Sequence, residues 1–128
     1  MPNELTIGEL KAEIRKGARC ILQVRHAERP KMDPNDPSFG DGLHLTREGA
    51  RTARILGEKL AEFRGDVAFC SSPLTRTRET AAALAEGMGL AGAAIPAYGC
   101  LGNDSFFYED PLEVLKTFNT MEFFKACF

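Results

Sequence analysis

Residues 20–29 have the sequence CILQVRHAER, in which a short apolar run passes directly into a charged cluster. The run 20–24 is bounded by Gly17 and by that cluster, as is typical of a strand buried on both faces. Residues 67–70 (VAFC) form a second apolar run, and Ile95 to Tyr98 form a third, weaker one. The sequence therefore predicts three short strands.

Helical patterns precede and separate these runs. Thr6 and Glu9 have the spacing of a capping box and predict a helix from Ile7 to Lys16. Two further helices are predicted, one capped by Thr46 and ending near Gly65, the other with Pro73 at its first position and closed by Gly87 and Gly89. Alternating strands and helices favour an α/β fold, with a mainly parallel sheet flanked by helices on both faces.

The composition is that of an ordinary globular domain. The chain has 128 residues, 44% of them hydrophobic, and a net charge of −2. We expect a single domain over 1–128. The charge balance argues against a nucleic-acid partner, and no apolar run approaches the roughly 20 residues of a membrane span. The N-terminus lacks the pattern of a secretory signal, so the expected location is cytoplasmic.

The four cysteines include no C-x-x-C pair, and the chain has two histidines. This pattern predicts no metal site. Cys20 and Cys70 are expected to be small buried side chains inside strands.

Polar side chains follow the first two predicted strands. Arg25 and His26 come directly after the first strand, and Ser71 and Ser72 come directly after the second. Ligands of parallel sheets bind outside the carboxyl ends of the strands, so we expect these two segments to meet at one edge.

Three motifs in this order carry a resemblance to a known family. They are RHAE at 25–28, LTREG at 45–49 and SSPLTRTRET at 71–80. The chain resembles the histidine phosphatase superfamily, the phosphoglycerate mutase-like group, whose pattern is Arg-His-Gly-Glu, Leu-Thr-x-x-Gly and Ser-Ser-x-Leu-x-Arg-Ala-x-x-Thr. With the expected acid, the motif-bearing part covers about 19–104.

The resemblance implies a role for each matching residue. His26 matches the nucleophile that becomes a phosphohistidine, and Arg25 and Arg76 match the arginines that hold the phosphate. Asp104 lies where family members commonly carry the acid that protonates the leaving group, and Glu109 is the alternative. The resemblance implies neither a metal nor another cofactor.

Physical chemistry supports this assignment of roles. Guanidinium groups make two-point contacts with the oxygens of a phosphomonoester dianion. An imidazole must be neutral to attack phosphorus, and the nearby cations Arg25 and Arg76 oppose the protonation of His26. The leaving alkoxide needs a proton, so a carboxylic acid is required close by.

Several side chains have more than one interpretation. Arg29 either reaches substrate or makes a surface ion pair, and Glu28 either orients a site group or lies at the rim. Asp104 is either the proton donor or a loop aspartate. His44 is expected to face solvent, and Thr46 to be a helix cap alone.

The chain also departs from the family pattern. Ala27 and Thr77 replace the usual glycine and alanine, and no histidine follows His44. The resemblance thus implies that the C-terminal part of the fold, with the second catalytic histidine, is missing. Residues 113–128 are predicted to be helical, and their phenylalanine-rich apolar side chains would lack a partner or form a homo-oligomer contact.

Two functions follow as hypotheses. The first is a phosphomonoester hydrolase that acts through His26 on a small phosphorylated substrate or a phosphoprotein. The alternative is a catalytically impaired phosphate-binding or interaction module, in which the second histidine is absent.

Overall fold

Three α-helices organise the part of the chain that the computed structural model describes, residues 5–38 and 40–101. They are α1 (Ile7–Arg15), α2 (Arg47–Leu60) and α3 (Thr75–Gly87), with 3-10 turns at Ala61–Phe63 and Gly99–Leu101. No helix in these residues has the length and apolar character needed to cross a membrane. The predicted helix in 113–128 lies outside the described residues.

Helix α1 forms as its capping box predicts. Glu9 donates its backbone N–H to Oγ1 of Thr6 at 3.2 Å, and Oε2 of Glu9 accepts the backbone N–H of Thr6 at 2.7 Å. The helix ends at Arg15 with Lys16 as C-cap, and Gly17 follows with a φ of +96° that favours glycine.

Helices α2 and α3 pack with their backbones in direct contact. A Cβ on Gly57 of α2 would collide with the carbonyl oxygen of Leu84, and a Cβ on Gly87 of α3 would collide with that of Arg54. Each of the two glycines therefore lies against the backbone of the other helix. Only a residue without a side chain permits this separation of the helices.

The apolar core lies beside this contact. Leu60, Leu84 and Met88 are buried, and five partly buried side chains pack against them: Ile7, Leu56, Phe63, Phe69 and Leu90. Helix α1 contributes Ile7 to this cluster, so the three helices share one core.

An ion-pair network holds α1 against the turn that follows α2. Glu62 accepts from Nε and Nη2 of Arg15 at 2.8 and 2.7 Å, and it lies 2.7 Å from Nζ of Lys11. These hydrogen bonds, that of Arg15 foremost, lower the pKa of Glu62 to about 2.

The predicted parallel sheet is absent from the described residues. No strand forms at 20–24, 67–70 or 95–98, and the one remnant of parallel pairing is an isolated bridge between Ser71 and Ala97. Ser71 donates its N–H to the carbonyl of Pro96 at 3.0 Å, and its carbonyl accepts from Tyr98 at 2.8 Å. The prediction of an α/β sheet fold is therefore wrong for this structure.

The side chains of the predicted strands explain this outcome. Ile21 is fully exposed, Leu22 is half exposed, and both Cys20 and Cys70 are exposed free cysteines. Among the described residues, no backbone hydrogen bond joins 20–24 to another segment. An apolar run forms a strand only when a neighbouring strand accepts its N–H groups, and a short apolar pattern does not guarantee that neighbour. The predicted burial of both cysteines is wrong for the same reason.

The start of α3 also differs from its prediction. Leu74 is the N-cap without a side-chain capping bond, and the helix begins at Thr75, two residues after Pro73. The hydroxyl of Thr77 instead donates to carbonyl oxygens of the preceding turn, those of Ser72 at 3.0 Å and Leu74 at 2.8 Å. The side chain inside the helix thus organises the turn that the proline was expected to shape.

Candidate functional site

The segment 25–29 is held between α2 and α3. Ala27 donates its backbone N–H to Oγ1 of Thr80 on α3 at 2.9 Å. The carbonyl of Glu28 accepts the backbone N–H of Thr46, the N-cap of α2, at 2.9 Å. The segment is therefore attached to a helix on each side, without the sheet that the sequence predicted.

Thr46 does more than cap its helix. Its hydroxyl accepts from the backbone N–H of Gly49 at 2.9 Å, which confirms the predicted cap, and donates to Oε2 of Glu28 at 2.8 Å. The backbone of Glu28 runs so close to α2 that a Cβ on Gly49 would collide with its carbonyl. Glu28 is thus exposed but tied to the start of α2, where it holds the segment in place.

His26 is half-buried, and its tautomer follows from one contact. Its Nδ1 lies 2.8 Å from the carbonyl oxygen of Ala27. A carbonyl only accepts hydrogen bonds, so Nδ1 carries the proton and donates. The lone pair of Nε2 is then free to act as a nucleophile.

Three guanidinium groups act on His26. Burial, more than any other cause, lowers the pKa of His26, and the positive charges of Arg76, Arg25 and Arg29 lower it further, against the opposing contact with the Ala27 carbonyl. The neutral imidazole is thus favoured at neutral pH. We refer to Arg25, Arg29 and Arg76, whose charges all act on His26, as the positively charged cluster.

Arg76 is the most buried cation of this cluster, with 9% of its surface exposed. Its Nη1 donates to the carbonyl of Gly40 at 2.9 Å, while its buried Nε has no hydrogen-bond partner in residues 5–38 and 40–101. Burial and the charge of Arg29 lower the pKa of Arg76, and Asp41 opposes them. A buried guanidinium with an unsatisfied donor is a strong site for an anion.

Arg29 shares this property. It is half-buried, Nη1 donates to the carbonyl of Pro30 at 2.8 Å, and its buried Nε has no partner among the described residues. No carboxylate of the described residues lies within ion-pair distance of Arg29. Arg25 is the exposed member of the cluster.

The loop that brings the Gly40 carbonyl against Arg76 folds around the side chain of Asp36. Asp36 accepts from the backbone N–H and hydroxyl of Ser38 at 2.8 and 2.7 Å, and from the N–H of Gly40 at 2.9 Å. These bonds, led by the Ser38 hydroxyl, lower the pKa of Asp36. Gly40 has a φ of +67°, which turns its carbonyl onto Arg76.

Ser71 and Ser72, predicted to lie at the same edge as Arg25 and His26, are both buried. The hydroxyl of Ser72 contacts that of Thr77 at 2.6 Å, whereas the buried hydroxyl of Ser71 has no partner among the described residues. The side chain of Ser72 thus supports the turn into α3.

A second polar arrangement borders an open groove between α2 and α3. His44 is exposed as predicted, and its Nδ1 contacts Oε1 of Glu79, whose Oε2 accepts the N–H of Leu45 at 2.8 Å. The groove has a volume of about 500 Å³ and is lined by side chains including Arg47 and Arg54, but not by His26. The positively charged cluster is therefore a site apart from this groove.

Two predicted residues cannot be located relative to the cluster, because Asp104 and Glu109 lie outside the described residues. The sequence analysis missed Thr80 and Gly40, although Thr80 ends the third motif, four residues after Arg76. That one-turn spacing on a helix is the signal that would have identified Thr80. No group of three potential metal ligands occurs in the described residues.

Comparison with known proteins gives one match. A family model described as the histidine phosphatase superfamily (branch 1) matches residues 21–96, more than half of the chain. That range contains His26, Arg76 and all three sequence motifs. Neither the curated proteins nor the solved structures contain a match.

Proposed function

We propose that this chain, which belongs to the histidine phosphatase superfamily, is a phosphomonoester hydrolase with His26 as its nucleophile. The substrate is a phosphomonoester, carried by a small molecule or by a phosphoprotein. The observation that carries the proposal is the contact of Nδ1 of His26 with the Ala27 carbonyl at 2.8 Å, inside a cluster of three arginines.

The cluster supports the binding step. Within the described part of the chain, Arg76 and Arg29 each have a buried Nε–H without a partner, and the charge of Arg25 also acts on His26. A charge-assisted hydrogen bond contributes roughly 1.5–3 kcal/mol. Two such donors would bind a dianionic phosphate with its phosphorus facing the ring of His26.

The chemistry takes two steps. In the first, the Nε2 lone pair attacks phosphorus, the bond from phosphorus to the ester oxygen breaks, and an acid protonates the departing alkoxide. In the second, water attacks the phosphohistidine, the carboxylate left by the acid takes a proton from that water, the P–N bond breaks, and inorganic phosphate leaves with the water oxygen. We propose Asp104 or Glu109 as the acid, as the family resemblance implies.

Hydrolysis of p-nitrophenyl phosphate by His26→Asn and His44→Asn tests the proposal. We expect turnover that survives EDTA and is lost in His26→Asn, but retained in His44→Asn, because His44 lies at the groove. The phosphorylated wild-type enzyme should carry an acid-labile, base-stable phosphate. Turnover that survives His26→Asn would overturn the proposal.

The pKa of His26 gives this reaction a characteristic pH dependence. Since burial and three cations lower that pKa below 6.5, the neutral nucleophile persists into mildly acidic solution. The acid limb of kcat/KM should therefore lie below pH 6.5. An acid limb at or above that value would contradict the assignment.

A second candidate is a phosphate-binding module without turnover. The orphaned buried Nε of Arg76 favours an anion ligand whether or not chemistry follows. Calorimetric titration with orthovanadate separates the two candidates. Binding that is weakened by Arg76→Lys, in a chain that releases no phosphate from p-nitrophenyl phosphate, would support the module.

A further inference from the structure

We propose that Thr80 is a positioning residue of this site, whose hydroxyl fixes the residue that orients the ring of His26. The inference deepens the proposed function and rests on it for its catalytic consequence. Thr80 is 5% exposed and lies one helical turn after Arg76.

The two hydrogen bonds of the Thr80 hydroxyl have fixed directions. Oγ1 lies 2.7 Å from the carbonyl oxygen of Arg76, which only accepts, so the hydroxyl proton is donated there. The oxygen lone pairs then accept the backbone N–H of Ala27 at 2.9 Å. One atom thus joins the helix that carries Arg76 to the segment that carries His26.

Ala27 links the hydrogen bond of Thr80 to the imidazole ring of His26. Its N–H is held by Thr80, and its carbonyl accepts from Nδ1 of His26 at 2.8 Å. The ring orientation therefore depends on where the backbone of Ala27 lies. The far side of the segment is held by α2, through the bond from Thr46 to Glu28, so Thr80 supplies the restraint on the side of α3.

Thr52 on α2 is a matched control for a purely structural role of Thr80. Thr52 on α2 makes the same bond to the carbonyl four residues earlier, that of Glu48, at 2.8 Å. Thr52 is exposed and has no second hydrogen-bond partner among the described residues. Thr52→Val thus measures the loss of the helical bond alone, whereas Thr80→Val removes that bond and the link to Ala27.

The experiment compares Thr80→Val, Thr80→Ser and Thr52→Val by NMR in the full chain. In Thr80→Val we expect hydrogen exchange of the Ala27 amide to accelerate about tenfold. The titration midpoint of His26 should fall further, because the contact with the Ala27 carbonyl that raises its pKa weakens. The charges of Arg25, Arg29 and Arg76 remain in all three variants. Thr80→Ser retains the hydroxyl and should restore both readouts.

Turnover supplies an independent readout. With p-nitrophenyl phosphate, Thr80→Val should lower kcat about tenfold while KM changes less than twofold, since the arginines that bind phosphate are unchanged. Thr80→Ser should recover most of kcat, and Thr52→Val should match the wild type.

The outcomes separate the two proposals. A wild-type chain without turnover would overturn the hydrolase, whereas Ala27 exchange and the His26 titration would still test Thr80. Wild-type exchange and titration in Thr80→Val would overturn the positioning role, as would equal losses in Thr80→Ser. If Thr80→Val does not fold, Thr80→Ala, which adds no bulk, takes its place with the same expectations.

Discussion

The packed helices and the segments that carry the chemistry are held by different interactions. Helices α2 and α3 touch backbone to backbone at Gly57 and Gly87, next to a buried apolar core. The segment 20–29 has exposed apolar side chains, and its contacts to the helices run through Thr46 and Thr80. Stability thus resides in the helix pair, whereas the geometry of the site depends on a few individual hydrogen bonds.

The largest effect on the free energy of unfolding is expected where α2 and α3 touch. Gly57→Ala gains up to about 1 kcal/mol of helix propensity, but its Cβ would collide with the carbonyl of Leu84 and force the helices apart. Overpacking of this kind costs about 1–3 kcal/mol, so we expect net destabilisation. Urea unfolding followed by circular dichroism measures it.

Gly65→Ala is the control, because its Cβ would meet nothing within 4 Å. We expect its unfolding free energy to change by less than about 1 kcal/mol. Equal effects at Gly57 and Gly65 would show that the close helix contact does not carry the stability.

An effect on anion binding, and not on the folding of the helix pair, is expected at Arg76. Arg76→Lys keeps the charge but loses the planar fork, so the Kd for orthovanadate should rise about ten- to a hundredfold. Cooperative unfolding should remain, because the helix pair is unchanged. Arg78→Lys, at an exposed position of the same helix, should bind orthovanadate like the wild type. Equal losses in both variants would remove Arg76 from the site.

Gly49 connects the two regions, so its substitution should affect binding more than folding. A Cβ at Gly49 would collide with the backbone of Glu28 and shift the segment that carries His26. Gly49→Ala should raise the Kd for orthovanadate about fivefold, as the loss of one hydrogen bond of about 1 kcal/mol would.

Gly8→Ala is the matched helix-start control, since its Cβ would make only an ordinary contact with Thr6 at 3.8 Å. Its orthovanadate affinity should equal that of the wild type. Unchanged affinity in Gly49→Ala would show that the approach of Glu28 to α2 does not set the site.

The smallest effect is expected at Glu62, which anchors α1 from an exposed position. Its folded pKa of about 2 lies below the ordinary glutamate value of 4.5, so the stabilisation is fully present above pH 4.5 and is lost as pH falls through about 2. Glu62→Gln should speed hydrogen exchange in α1 at pH 7, and this difference from the wild type should vanish near pH 2.

Glu13→Gln is the control, because Glu13 pairs with Lys16 within the same helix. We expect its α1 exchange rates to stay close to those of the wild type. A Glu62→Gln variant that exchanges like Glu13→Gln would show that the ion pairs do not fasten α1.

The sequence predicted the helices better than the strands because helix signals are local. The capping box of Thr6 and Glu9 and the cap at Thr46 lie within one turn of the bonds that they form. A strand depends on a distant neighbour, and for 20–24 no such neighbour exists among the described residues. The start of α3 was predicted two residues too early, because Pro73 precedes the N-cap Leu74 and does not occupy the first helical position.

The motif residues of the candidate site could be predicted from the sequence, but the contacts that hold those residues in place could not. The motifs singled out His26, Arg25 and Arg76, and these residues share one electrostatic environment in the structure, although their chemical roles stay predictions. The carbonyl of Gly40 escaped prediction because a backbone acceptor supplied by a loop 36 residues away leaves no pattern in the sequence.

The contact between Gly40 and Arg76 restrains the plane of the guanidinium. Because Nη1 donates to the Gly40 carbonyl at 2.9 Å, the Nε edge is held in one orientation, and Nε has no hydrogen-bond partner among the described residues. An anion that meets Nε and Nη2 therefore need not displace the loop. The donors are already oriented when such an anion arrives, so less side-chain entropy is lost on binding.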